Sequence, residues 1–119
     1  MKKEDKELSF KDLSSRLSYH VRVKIWLKDG TTEEGVLDLE HNYADVLLDA
    51  FYYNKIIDIK PYLRLMSEMT KEERETYSLF SYARCNDKAF DWLLAHHFDF
   101  RGLIGKGLAL VAPEGMYNS

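Results

Sequence analysis

The chain has 119 residues, a length that suits one domain or a small domain with an appendage. A hydrophobic fraction of 45% with 13% aromatic residues suffices for a packed core and excludes a disordered tail. The net charge of -3 argues against nonspecific binding to a phosphate backbone, which requires a positive surface. Cys85 is the single cysteine, so an internal disulfide is excluded and a reducing, cytoplasmic compartment is expected. The sequence shows neither an apolar run near the roughly 20 residues of a membrane span nor the apolar core of a signal peptide.

The first predicted element is a short helix over residues 10–17, with Ser9 as its N-cap. The apolar period then changes to two. Val21, Val23, Ile25 and Leu27 alternate with polar residues, as expected of a half-buried strand. Asp29-Gly30 follows and predicts a hairpin turn, because both residues tolerate positive φ.

Three further strands are predicted after this turn. Residues 31–40 form the returning strand, in which Gly35 marks a bulge or a sharp bend. Residues 43–50 are predicted as the third strand and residues 55–60 as the fourth, with Pro61 limiting its extension. Together these elements predict a small, strongly bent antiparallel barrel.

The composition changes after residue 66 and predicts helices. Thr70-Lys-Glu-Glu73 matches a capping box and predicts a helix over residues 71–83. Asn86-Asp87 caps a second predicted helix through residue 97, with Ala89, Phe90, Leu93 and Leu94 inward. Asp99 caps a short turn that ends at Gly107, before a short apolar strand or arm.

The segment 9–49 resembles the first half of an Sm-like domain. A short helix is followed by Val23, Ile25, Leu27, Asp29 and Gly30, and then by Gly35, Leu37 and Leu48 at the family's spacing. Other SH3-like small barrels share the alternation and the glycine bend. The resemblance implies a small β-barrel with a leading helix over residues 1–66. Residues 67–119 are then a helical extension packed on that barrel.

The same resemblance implies an RNA pocket, but the sequence departs from the family there. RNA-binding Sm-like proteins carry an aspartate and an asparagine between the second and third strands. His41 and Asp45 occupy those positions here. The Ile-Arg-Gly signature is replaced by Ile57-Asp-Ile-Lys60-Pro61.

A second resemblance covers residues 55–117. Ile59-Lys-Pro-Tyr-Leu-Arg64 and the run from His96 to Ala109 resemble small proteins of phages and prophages of gut Bacteroidetes. It implies a phage-related origin and carries over no catalytic residue.

Four groups of residues contain side chains suited to chemistry, but the pattern of each group favours a structural role. His96-His97 with Asp91 and Asp99 lacks the three or four convergent ligands of a zinc site. Gly102 to Gly107 lacks the lysine-serine or lysine-threonine pair of a phosphate loop. Cys85 has no base nearby in sequence. The carboxylates Asp38, Glu40, Asp45 and Asp49 are expected on a solvated exterior. We therefore predict no enzyme, no metal and no cofactor.

Trp26 is the strongest candidate for a binding residue, because it falls on the polar face of the first strand. An aromatic cluster accompanies it, with Arg22, Lys24, Lys28 and Lys55 as candidate partners for stacked bases. The cluster comprises Trp26, Tyr43, Phe51, Tyr52, Tyr53 and Tyr62. The alternative, which the sequence favours slightly, is that the C-terminal helices cover Trp26 as interdomain core.

The sequence thus predicts a non-enzymatic binding or adaptor protein that contacts another protein or itself through barrel edge strands. The candidate binding residues are Trp26, His41, Asp45, Tyr52, Tyr53 and Lys60. The alternative is an Sm-like module that binds RNA or a nucleotide, which requires His41, Asp45 and Lys60 to converge beside an aromatic face.

Overall fold

A computed structural model describes residues 3–38, 43–51, 56–83 and 86–117. The side chains of residues 43–45, 48 and 81 lie outside the description. The elements in chain order are α1 Lys3–Ser15, a 3-10 turn Leu17–Tyr19, β1 Arg22–Leu27, β2 Thr32–Val36, α2 Tyr43–Phe51, β3 Ile56–Leu63, a 3-10 turn Met66–Glu68, α3 Lys71–Tyr82, α4 Asn86–Ala95 and β4 Leu110–Val111.

The four strands form one sheet in the order β2-β1-β3-β4. β1 pairs antiparallel with β2 and with β3, and β4 pairs parallel with β3. In the described part of the chain β2 and β4 are opposite edges that do not pair with each other, so the sheet is open. The mixture of strands and helices is confirmed, whereas the predicted closure into a barrel is not.

The prediction of a third strand over residues 43–50 is wrong, because this segment is helix α2. Val46, Leu47, Ala50 and Phe51 recur at helical spacing, and Leu47 and Phe51 are buried in the core. The alternation of Val46 and Leu48 is too short to distinguish a strand from this helical stripe.

Three smaller predictions in the N-terminal half also differ from the structure. The first helix begins at Lys3, so Ser9 is a buried residue inside it and not its cap. The β1–β2 register runs without a shift through Gly35. β3 continues past Pro61 to Leu63, because the missing N–H of Pro61 lies on the side of β4, which pairs with β3 only from Tyr62 onward.

The main core lies on one face of the sheet. Val23 and Ile25 from β1 and Val21 just before it belong to this core, as the alternation predicts, and α1, α2 and β3 supply most of the others. Leu103, Leu108 and Ala109 from the C-terminal part complete it. A second cluster of Met69, Leu93 and Phe98 joins α3 and α4 to the end of β3. The division of the chain at residue 66 stays a prediction.

Two of the predicted caps of the C-terminal half, at Thr70 and Asp99, are confirmed, and the cap at Asn86-Asp87 stays a prediction. The Thr70 amide donates to Glu73 Oε1 at 2.9 Å, and the Glu73 amide donates to Thr70 Oγ1 at 3.1 Å. The Asp99 carboxylate accepts the Leu103 and Ile104 amides at 2.8 and 3.0 Å, and the turn ends at Gly107 with φ of 74°. In α4 Leu93 and Leu94 are buried as predicted, but Phe90 is 52% exposed.

A charged cluster ties α1 to the C-terminal part, and we call Asp12, Arg16 and Arg101 the buried polar centre. Arg16 donates to both carboxylate oxygens of Asp12, at 2.8 and 3.1 Å, and to the Phe98 carbonyl at 2.9 Å. Arg101 Nη1 donates to Asp12 Oδ1 at 2.6 Å. The side chains of Asp12 and Arg16 are 0% exposed. This centre therefore holds residues distant in sequence together inside the protein.

Candidate functional site

The face of the sheet opposite the core is the candidate site, and we call it the outer face. The two-residue period that buries Val23 and Ile25 turns Lys24 and Trp26 the other way. Cross-strand neighbours add side chains from β2 and β3 to the same face. The members with contacts used below are Lys24, Trp26, Glu34, Asp58, Lys60 and Tyr62.

The Trp26 ring carries two ammonium groups. Lys24 Nζ and Lys60 Nζ each lie 5.4 Å from its ring centroid. Both distances fall within the range of a cation–π attraction, worth about 0.5–1 kcal/mol at an exposed site. All three side chains are half-buried, so they cover one another in part. Trp26 belongs to neither of the two apolar clusters formed by described residues.

The two lysines stand directly opposite each other on β1 and β3. Like charges in that position repel and destabilise the strand pair. The Asp58 carboxylate lies close by, with its Oδ2 3.7 Å from Lys60 Nζ and about a quarter of each side chain exposed. A pair this exposed contributes little stability. The arrangement of two cations over an indole is therefore suited to holding an anionic group, with the ring beneath it.

Tyr62 and Glu34 border the lysines. The Tyr62 hydroxyl donates to Glu34 Oε1 across β1. This hydrogen bond, with burial and the Glu34 charge as smaller causes, raises the pKa of Tyr62 to about 12. The Glu34 carboxylate is therefore engaged with a neutral phenol, next to the strand position of Lys24.

The structure brings together two of the six predicted binding residues, Trp26 and Lys60. His41, Tyr52 and Tyr53 lie outside the described residues. Asp45 is in α2, and its side chain lies outside the description. The predicted convergence of His41, Asp45 and Lys60 therefore stays a prediction.

Two other members of the predicted aromatic cluster, Phe51 and Tyr62, lie in different parts of the structure. Phe51 is 9% exposed in the main core, where its ring packs edge-on against Phe10. Tyr62 is on the outer face. Glu34 and Asp58 were missed by sequence reasoning. The hairpin turn at Asp29-Gly30 places Glu34 across from Lys24 and could have identified it.

The histidine and aspartate residues near position 97 do not form one site. Asp99 caps a turn, and Asp91 accepts a hydrogen bond from Tyr19 at 3.4 Å. The His97 ring stacks on Tyr117 with centroids 3.7 Å apart, and His96 packs on Trp92. Within ranges 3–38, 43–51, 56–83 and 86–117, three or more His, Cys, Asp or Glu side chains nowhere converge on a point suited to a metal ion. Cys85 lies outside these ranges.

Comparison with known proteins gives no match among family models, curated proteins or solved structures. Among the described helices, none has both the length and the apolar character required to cross a membrane.

Proposed function

We propose that this protein is a non-enzymatic binding protein whose outer face binds an acidic segment of a protein partner. One observation carries the proposal: Lys24 and Lys60 stand opposite each other, and both ammonium groups lie over the Trp26 ring on the outer face. Tryptophan is among the residues that contribute most to protein interfaces. The paired ammonium groups favour a carboxylate-rich ligand.

The arrangement of two lysines over Trp26 stabilises the free protein little, and it stabilises a complex with an anionic ligand more. A carboxylate placed near both ammonium groups replaces their repulsion by two attractions, and the partner excludes water from the indole. Because both ammonium groups remain partly exposed to solvent, binding should weaken as salt rises.

The first experiment is a fluorescence titration. The chain has two tryptophans, so Trp92→Phe leaves Trp26 as the single reporter. In this background we expect oligoglutamate to change the Trp26 emission. The Lys24→Gln/Lys60→Gln double variant should weaken binding by at least about tenfold, or about 1.4 kcal/mol.

Lys88→Gln/Lys106→Gln is the matched control, because it removes the same charge from exposed positions away from the outer face. Equal affinity of the two double variants for oligoglutamate would contradict the proposal, since net charge alone would then account for any effect.

An RNA-binding module of the Sm-like kind is the second candidate. The observation that favours it is the same indole with two adjacent lysines, since aromatic rings and cations together bind single-stranded nucleic acid. The same titration with oligouridine distinguishes the two. Binding of oligouridine without binding of oligoglutamate would favour the RNA-binding module over the protein-binding one. The same result would support an Sm-like, barrel-related ancestry of the protein.

A cytoplasmic location and a phage-related origin are part of the proposal. The single cysteine supports a reducing compartment, and the two resemblances support the origin. Self-association through the edge strands is a further form of protein contact that this proposal includes. β2 offers such an edge, although Glu33 and Glu34 place charge on it, which disfavours pairing with a second copy.

A further inference from the structure

A groove lies beside the other edge of the sheet, away from the outer face. It has a volume of about 660 Å³ and runs between β4 with the segment after it and the segment before α3 that contains Glu68 and Thr70. Its lining includes Arg64, Glu68, Val111, Glu114 and Tyr117. The volume falls in the range of about 300–1,000 Å³ that is typical of ligand-binding clefts.

The β4 strand gives this groove a free backbone edge. The Ala112 amide donates to the Leu63 carbonyl at 2.8 Å, so Ala112 faces β3. Successive residues of a strand alternate, and the amide and carbonyl of Val111 therefore point away from the sheet. Within the described residues no strand pairs with this side of β4. An extended peptide could add there as a fifth strand.

The charge of the groove is negative. Arg64 donates to both oxygens of Glu73, at 2.8 and 2.7 Å, so these two charges cancel. Glu68 and Glu114 are exposed on the lining. An occupant with lysine or arginine side chains would complement these two carboxylates.

The wall formed by Tyr117 is held in place before any ligand arrives. Its hydroxyl accepts from the Arg22 amide at 2.9 Å and donates to the Tyr62 carbonyl at 2.6 Å. Its ring stacks on His97. Together with Val111, which is 47% exposed, and Pro113, it provides an apolar surface. A preformed site loses less entropy when it binds.

We propose that this groove binds an extended, basic peptide segment of a partner protein. The segment pairs with the free edge of β4 at Val111. Its cationic side chains lie against Glu68 and Glu114, and its apolar side chains lie against Val111 and Tyr117. With Lys24 and Lys60 on the outer face, the protein would then have two binding sites of opposite charge preference, which suits an adaptor.

The test is an NMR titration of the full chain with the blocked peptide Val-Lys-Val-Lys-Val and, separately, with Val-Glu-Val-Glu-Val. We expect the lysine peptide to shift the amide signals of Val111, Ala112 and Glu114. We expect Glu68→Gln/Glu114→Gln to weaken its affinity at least about tenfold. Glu33→Gln/Glu75→Gln, which removes the same charge from exposed positions elsewhere, should leave that affinity unchanged.

Three results would overturn the proposal. The first is an equal affinity for the two peptides. The second is an equal effect of the two double variants. The third is the absence of saturation by the lysine peptide up to about 1 mM, where binding is worth only about 4 kcal/mol. The peptide comparison needs no variant, so it holds even if a substitution disturbs folding. The Lys24→Gln/Lys60→Gln variant should bind the lysine peptide like the unaltered protein, which separates this result from that of the outer face.

Discussion

The buried polar centre and the outer face use the same kinds of side chain in opposite ways. In the buried polar centre each cation faces a carboxylate: Arg16 and Arg101 both donate to Asp12, which has no exposed surface. On the outer face two cations face each other, half-exposed, over the Trp26 ring. The first arrangement pairs Arg16 and Arg101 with a carboxylate that folding has desolvated, although Arg16 Nη1 is buried without a hydrogen-bond partner among the described residues. The second arrangement places two ammonium groups of like charge opposite each other where a ligand can reach them.

Structural and functional charges in a small domain differ in where their partners lie. A desolvated ion is tolerated only when it is paired, so an ion pair inside the protein is explained by its role in stability. On the surface, the repulsion between Lys24 and Lys60 opposes the cation–π contacts with Trp26 and the Lys60–Asp58 pair, so the net contribution of these charges to stability is small. The predictions below test whether stability depends on the first region and not on the second.

The largest expected effect is from Asp12→Ala. It leaves Arg16 buried beside Arg101 without a carboxylate, and it should lower the free energy of unfolding by about 3–5 kcal/mol. Urea denaturation followed by circular dichroism measures this change. A loss below about 1 kcal/mol would show that the buried polar centre does not hold α1 to the C-terminal part.

The next expected effect is on the pH dependence of the free energy of unfolding. Burial, with the nearby Arg16 charge as a smaller cause, lowers the pKa of His97 from its usual 6.5 to about 4. The unfolded state therefore binds the proton first as pH falls, so stability is full above pH 6.5 and decreases toward pH 4.

The variant His97→Asn should remove this part of the pH profile, because it removes the imidazole that takes up the proton. Asparagine is chosen because it tolerates the left-handed backbone at this position, where φ is 62°. His20→Asn is the matched control, since His20 also has positive φ but is exposed. Denaturation at a series of pH values between 7 and 4 makes the comparison, as the protonation range of His97 requires. An unchanged profile in His97→Asn would assign the pH dependence elsewhere.

A smaller loss is expected from Tyr117→Phe. The hydroxyl bridges the Arg22 amide and the Tyr62 carbonyl, so its removal leaves a donor and an acceptor between β1 and β3 unpaired. The expected cost is about 1–2 kcal/mol in the free energy of unfolding. Hydrogen exchange of the Arg22 amide should become faster, and unchanged exchange would argue against the bridge.

The smallest effect is expected on the outer face. Lys24→Gln removes the repulsion with Lys60, so the free energy of unfolding should change by no more than about 0.5 kcal/mol or should rise slightly. Denaturation of this single variant beside Asp12→Ala gives the contrast between the regions directly. A loss of more than about 1 kcal/mol would mean that the lysine is part of the structure's own stability.

Local patterns predicted much of the fold. The alternation in β1, the Asp29-Gly30 turn and the Thr70–Glu73 capping box each depend on neighbouring residues, and each is present in the structure. Helix α2 was missed, because a short apolar run does not distinguish a strand from a buried helix until its partners are known.

The site was predicted only in part for a related reason. Trp26 was identified from its place in the alternation, and Lys60 from the resemblance to Sm-like proteins. Lys24 and Lys60 lie opposite each other because of the β1–β3 register. The two strands are separated in the chain by α2, and the residues next to each lysine do not determine this register. The buried polar centre was missed because Arg101 and Asp12 meet only through tertiary packing.

The variant Trp26→Ala, measured for both stability and binding, tests most directly whether the outer face is a binding surface. Because Trp26 is half-buried and outside both apolar clusters, we predict a loss below about 2 kcal/mol in the free energy of unfolding. Binding of oligoglutamate, followed by calorimetry, should be lost. A destabilisation of about 3–5 kcal/mol, the cost of truncating a core tryptophan, or retained oligoglutamate binding, would contradict the account.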